Sequence, residues 1–186
     1  MDATNHQNNL LSPKMNTKKP IIALFSLFLI YSCNIRKEEV SSLDPVNWNN
    51  RAVSHVLSDS LLTGTSYLSV YSQIYSQTEH KTQDLTATIS LRNTNRSDTI
   101  YITKAEYFDT GGKLIRTYFD KPIFIAPLET VEIVIDEIDQ EGGTGANFLF
   151  DWMIDPSLSE PLFEAVMIST SGQQGLSFST QGKRIN

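Results

Sequence analysis

The stretch GGTGANFLFDW, residues 142–152, decides how this chain is read. A glycine-rich turn runs straight into a dense aromatic segment, which happens nowhere else in the sequence. The aromatic part, residues 147–152, reads as a β-strand by its composition. Trp152 and the phenylalanines beside it are expected to pack between two sheets.

Strand signals continue on both sides. DLTATISLR, residues 84–92, sets Leu85, Ala87, Ile89 and Leu91 against Thr86, Thr88 and Ser90. That period of two marks a half-buried strand. YLSVYSQIY (67–75), residues 99–108, 113–118, 122–125, TVEIVI (130–135), 163–169 and 175–179 read as further strands. Asp109-Thr110-Gly111-Gly112 is a hairpin signal, because glycine accepts positive φ. NTNRSD, residues 93–98, is a turn cluster. Eight or nine short strands with regular turns, and no helical pattern between them, predict an all-β fold. The expected architecture is an antiparallel β-sandwich, immunoglobulin-like, over residues 65–186.

The chain has 186 residues, 40% hydrophobic and 19% charged, which suits one packed domain with appendages. A formal net charge of -6 argues against a nucleic-acid partner, since phosphate binding needs a positive patch. The single cysteine, Cys33, excludes an intrachain disulfide and a Cys/His metal cluster.

The position of Cys33 is informative. Lys18 and Lys19 precede an apolar run, IIALFSLFLIY, residues 21–31. A basic segment, a short apolar segment and a small residue make an export signal over residues 1–32. Ile30-Tyr31-Ser32-Cys33 resembles the lipobox of bacterial lipoproteins, although Tyr31 is bulky for its place. The resemblance implies cleavage before Cys33 and acylation of its thiol. Two or three acyl chains hold a protein on a membrane where one does not. A signal-anchor helix and an ordinary secreted protein are the competing readings. A start at Met15 gives the signal typical proportions and leaves residues 1–14 outside it. Asn34 follows the cysteine, and Lys37-Glu38-Glu39 resembles an acidic surface-export signal, or is simply a solvated tether. Residues 33–64 read as tether and lead-in, with a short amphipathic helix expected around Ala52, Val53, Val56 and Leu57.

The runs AEYFDTGGKLIRTYF, IAPLETVEIVIDEID, GGTGANFLFDW, PLFEAVMI and GQQGLSF resemble a bacterial lipoprotein family, number 3124 among the domains of unknown function. The resemblance covers residues 67–183 and implies an exported, lipid-anchored, β-rich protein. It supplies no catalytic residues.

Several motifs admit a functional and a structural reading. Gly142, Gly143, Gly145 and Asn147 offer backbone N–H groups for an anion-binding nest. A phosphate loop needs a helix after it, however, and a strand follows here, which favours a tight turn setting strand register. Asp136, Asp139 and Glu141 form an acidic run with oxygens suited to Ca²⁺, but without EF-hand spacing, so a solvated loop competes. Asp109, Asp151 and Glu164 offer carboxylates for acid–base work, or are turn and surface residues. His55 and His80 have no nucleophile elbow to serve. Tyr67, Tyr71 and Tyr75 share one face by period two and offer an aromatic stripe for a glycan or peptide. Tyr101, Tyr107, Tyr118 and Trp152 add aromatic surface or core.

These observations lead to a lipid-anchored envelope module that binds a protein or glycan, with no catalytic site and no cofactor recognised. A carboxylate-based hydrolase of envelope material and a purely structural lipoprotein are the alternatives. The expected location is the periplasmic face or outer surface of the outer membrane.

Overall fold

The computed structural model describes residues 46–170 and 175–186. The expected export signal, Cys33 and the expected tether as far as residue 45 lie outside the described residues. Among the described residues, twelve strands follow a 3-10 turn at Trp48–Arg51. They are β1 (Leu62–Val70), β2 (Gln73–Ser76), β3 (Thr78–Asp84), β4 (Thr86–Arg92), β5 (Ile100–Phe108) and β6 (Leu114–Phe119). The rest are β7 (Ile123–Ile125), β8 (Thr130–Ile135), β9 (Ala146–Ile154), β10 (Leu162–Ser169), β11 (Leu176–Gln181) and β12 (Lys183–Arg184).

Two antiparallel sheets make the expected β-sandwich. One has the order β12-β1-β9-β5-β6, with β7 beside β5; the other runs β11-β10-β4-β8. The β4–β8 and β5–β9 pairs match the central B–E and C–F pairs of an immunoglobulin-type sandwich. The outer strands are exchanged, with β1 beside β9 and β10 beside β4. The chain therefore crosses between the sheets at β4–β5, β7–β8, β8–β9 and β9–β10, which ties them together.

The core follows from the alternation in the sequence. Along β9 every second residue from Ala146 to Ile154 is buried, and Phe148, Phe150 and Trp152 point between the sheets. Their rings form a ladder: Tyr107 to Phe148 at 4.7 Å, Phe148 to Phe150 at 5.3 Å and Phe150 to Phe163 at 4.4 Å. Stacked rings bury large apolar area and add a modest geometric preference of about 0.5–1.5 kcal/mol per pair. Trp152 follows Phe150 among the buried positions of β9, with its Nε1–H donating to Ser66 Oγ at 3.0 Å and Arg184 5.1 Å above its ring.

Turn chemistry fixes the connections. At the β5–β6 hairpin Gly112 has φ +81, and Asp109 Oδ1 accepts from the Lys113 N–H at 2.8 Å, as DTGG predicts. The NTNRSD turn hides a structural centre. Asn93 is buried, and its amide donates to the carbonyls of Asp98, Ile125 and Ala126 at 2.7, 3.1 and 3.1 Å. Asn93→Ala is expected to cost about 2–3 kcal/mol, because buried carbonyls lose their donor. Urea unfolding of both proteins measures this.

Three sequence expectations need correction. The amphipathic helix around residues 52–57 is absent; Ala52 is extended and bridges Ile123, while the Val53 N–H donates to Pro122 O at 2.8 Å. Two valines in six residues favour extended backbone, and pairing with β7 satisfies it. The 67–75 strand is broken at Tyr71-Ser72. Ser72 is buried, and its carbonyl accepts from the Leu85 N–H at 2.9 Å, which turns the chain into a separate β2–β3 hairpin. The tyrosine stripe goes with it: Tyr67 lies on β1, Tyr71 packs on Phe178 at 5.8 Å, and Tyr75 projects from β2. The strands β3 and β12 carry no clear period-two pattern, and the sequence does not predict them.

Candidate ligand surface

The glycine loop is positioned by packing and by bonds within the chain. A side chain at Gly142 would place its Cβ 1.9 Å from the Tyr107 hydroxyl oxygen. Gly143 has φ +70, and its N–H donates to Gln140 O at 3.1 Å. The Gly145 N–H donates to Thr110 Oγ1 at 2.9 Å, and that hydroxyl donates to Gly142 O at 3.0 Å. Two of the loop's N–H groups are thus committed internally. Asn147 sits in β9 opposite Ser69 and Phe108. The loop thus bonds to Thr110 in the β5–β6 hairpin just before β9 begins.

The acidic run has separate duties. Asp139 is buried, and its Oδ2 accepts from both terminal nitrogens of Arg116, at 3.2 and 3.1 Å. Arg116 also reaches Glu141 at 3.1 Å and Tyr118 Oη at 3.1 Å. Burial pushes the Tyr118 phenol above its ordinary range, against the Arg116 hydrogen bond. Asp136 Oδ1 accepts from the Ile138 N–H at 3.2 Å. Among the described residues no group of three or more His, Cys, Asp or Glu side chains is placed to hold a metal ion.

The three candidate carboxylates are not brought together. Asp109 caps the β5–β6 turn. Asp151 accepts from Thr65 Oγ1 at 2.7 Å in the larger sheet. Glu164 pairs with Arg92 at 2.8 Å in the smaller one. His80 is exposed on β3, while His55 lies in the lead-in beside Tyr101 and Phe124.

Among the described residues, several clefts open around that lead-in. Residues 46–53 lie across β7 and the end of β6. Trp48 packs on Phe119 with ring centroids 4.7 Å apart, and Arg51 pairs with Glu129 at 2.7 Å. The second Glu129 oxygen accepts from the Ala126 N–H at 2.8 Å. The Arg51 hydrogen bond holds the Glu129 carboxyl below its ordinary pKa. A depressed carboxyl pKa contributes stability above its unfolded value, about 4.3, and loses it as pH falls through the folded value. Arg51→Ala is therefore expected to lower stability at pH 7 and to bring the variant and parent curves together in acid. Thermal unfolding across pH checks this.

Three clefts surround the lead-in. One of about 430 Å³ is lined by Asn47, Trp48, Asn49, Tyr118, Asp120 and Lys121 among others. A second, about 410 Å³, involves Val46, Arg51, Ala126 and Glu129; a third, about 300 Å³, involves Val53, His55 and Tyr101. Phe124 lines both of these last two and is 37% exposed. Leu128, in the adjoining turn, is 65% exposed at φ 59, a conformation that a non-glycine residue adopts only at some cost. Trp48 and Phe124 were missed in the sequence. The one available signal was a tryptophan inside the turn-rich run NWNN, residues 47–50.

No curated protein and no solved structure matches the chain. A family model described as "Protein of unknown function (DUF3124)" matches residues 63–185. That span runs from β1 through β12 and takes in the whole sandwich, so the chain belongs to this family of proteins of unknown function.

Proposed function

We propose that the chain is a lipid-anchored binding module of the bacterial cell envelope. Acylated Cys33 holds it on the membrane, residues 34–45 act as the tether, and the surface around the lead-in engages an envelope protein or glycan. The observation that carries this reading is Phe124: a large apolar side chain, over a third exposed, standing between two clefts on a paired strand. Exposed apolar surface framed by polar residues is a usual mark of an interaction site. Tyr101, opposite Phe124 in the β5–β7 pairing, extends the patch over the sheet. The surface needs no cofactor in this reading.

Cys33→Ser is expected to move the protein from the membrane fraction to the soluble fraction. Phe124→Ser, at a side chain already partly in water, is expected to leave folding intact. It should cut co-sedimentation with purified peptidoglycan sacculi or with outer-membrane vesicles at least about tenfold, as loss of an aromatic anchor does. Unchanged co-sedimentation of Phe124→Ser with both materials refutes the assigned surface.

A further inference from the structure

We infer that the cleft at Trp48 takes a neutral oligosaccharide, an inference that rests on the binding-module reading and names its ligand class. Trp48 is half-buried and braced against Phe119 at 4.7 Å, with 46° between the ring planes. The rim has a different chemistry. Asn47, Asn49, Asp120 and Lys121 are all exposed around the same cleft. Among the described residues, the side chains of Asn47, Asn49 and Lys121 make no hydrogen bond or ion pair.

The set fits a sugar. Side-chain amides both donate and accept, a carboxylate accepts, and an ammonium donates. Hydroxyl groups of a pyranose need this mixture, while the C–H face of the ring needs an aromatic surface such as Trp48. One carboxylate beside one ammonium gives the rim no net charge, so it does not favour a phosphate or a cation. An apolar peptide segment would leave the amides without partners. The cleft's 430 Å³ lies in the size class of small-ligand sites, roughly 300–1,000 Å³.

The chain has two tryptophans, and Trp152 is sealed in the core, so Trp48 is the residue that reports on the cleft. The whole chain in mild detergent is titrated with maltotetraose, with chitotetraose and with inorganic phosphate, following tryptophan fluorescence. A saturable change with at least one sugar and none with phosphate is expected. Asn49→Ala and Asp120→Ala alter exposed side chains outside the core, keep the reporter, and should each weaken that affinity about tenfold. No saturable change with either sugar overturns the inference. So does a response to phosphate of equal size, or a sugar response that both substitutions leave untouched. If the sugars fail while Phe124→Ser still cuts co-sedimentation with sacculi or with outer-membrane vesicles, the saccharide inference falls and the binding module stands. If both fail, both fall.

Discussion

Gly64→Ala is expected to destabilise the sandwich by about 3 kcal/mol or more, at the upper end of overpacking costs. An alanine Cβ at residue 64 would lie 2.2 Å from Trp152 Cζ2 and within 2.7 Å of two further ring atoms. Neither side has room to move. Gly64 lies in β1 opposite Trp152 of β9, the third pair of a nine-pair ladder. The indole is 1% exposed, bonded to Ser66 Oγ and covered by Arg184. The effect is specific to that ring, which a double-mutant cycle tests. Trp152→Phe alone removes the Ser66 bond and leaves a cavity, yet in combination with Gly64→Ala it gives the new methyl space. The two changes together should cost clearly less than their sum, as expected of residues in direct contact. Chemical denaturation of the four proteins measures the coupling. Strict additivity shows that the glycine is not there for the indole.

The second large effect is expected at Arg116. Its guanidinium is 15% exposed and its partner Asp139 carboxylate 2% exposed. Arg116→Met removes the counter-charge and leaves Asp139 buried, for which losses of about 3–5 kcal/mol are usual. The loss should also loosen the loop that carries residues 136–145, because Arg116 links β6 to both Asp139 and Glu141. Faster amide exchange at Gly143 and Gly145 is the local signature. Arg116→Met combined with Asp139→Leu removes both charges and should be less destabilised than Arg116→Met alone. If the double variant is the worse of the two, the pair is not the reason for the loss.

Much of the fold was legible because a strand with one buried face must alternate. TVEIVI became β8 with its bounds unchanged, and the alternation in residues 84–92 became β4, shortened by two residues at its start. The DTGG hairpin followed from glycine's access to positive φ at residue 112. The β2–β3 hairpin was hidden because β3, the run TEHKTQD, buries no residue and so has no pattern to display. The lead-in was misread as helix because its extended backbone is held by partners 70 residues away in sequence, Pro122 and Ile123. The glycine loop was visible as a loop, but the reason for Gly142 is the Tyr107 hydroxyl, which only the folded chain brings to it.

The candidate site was illegible for the same physical reason. Its clefts are lined by residues 46–55 together with residues 118–129 and, in one cleft, Thr99 and Tyr101, so residues far apart in sequence make each of them. The three carboxylates that the sequence offered for acid–base work stand in a turn, in one sheet and in the other. The three tyrosines offered as a stripe are divided among β1, the break that follows it and β2. Surface chemistry of this kind depends on which loops meet, and that is decided by the crossing of strands between the sheets.

The most direct test of the central claim is site-specific photocrosslinking in living cells. A photoreactive phenylalanine analogue is placed at position 124 and, as a control, at position 79 on the exposed β3 strand. The binding-module account predicts a discrete crosslinked envelope species from position 124 that position 79 does not yield, and that Cys33→Ser abolishes by releasing the protein from the membrane. No adduct at 124, or the same adduct at both positions, contradicts it.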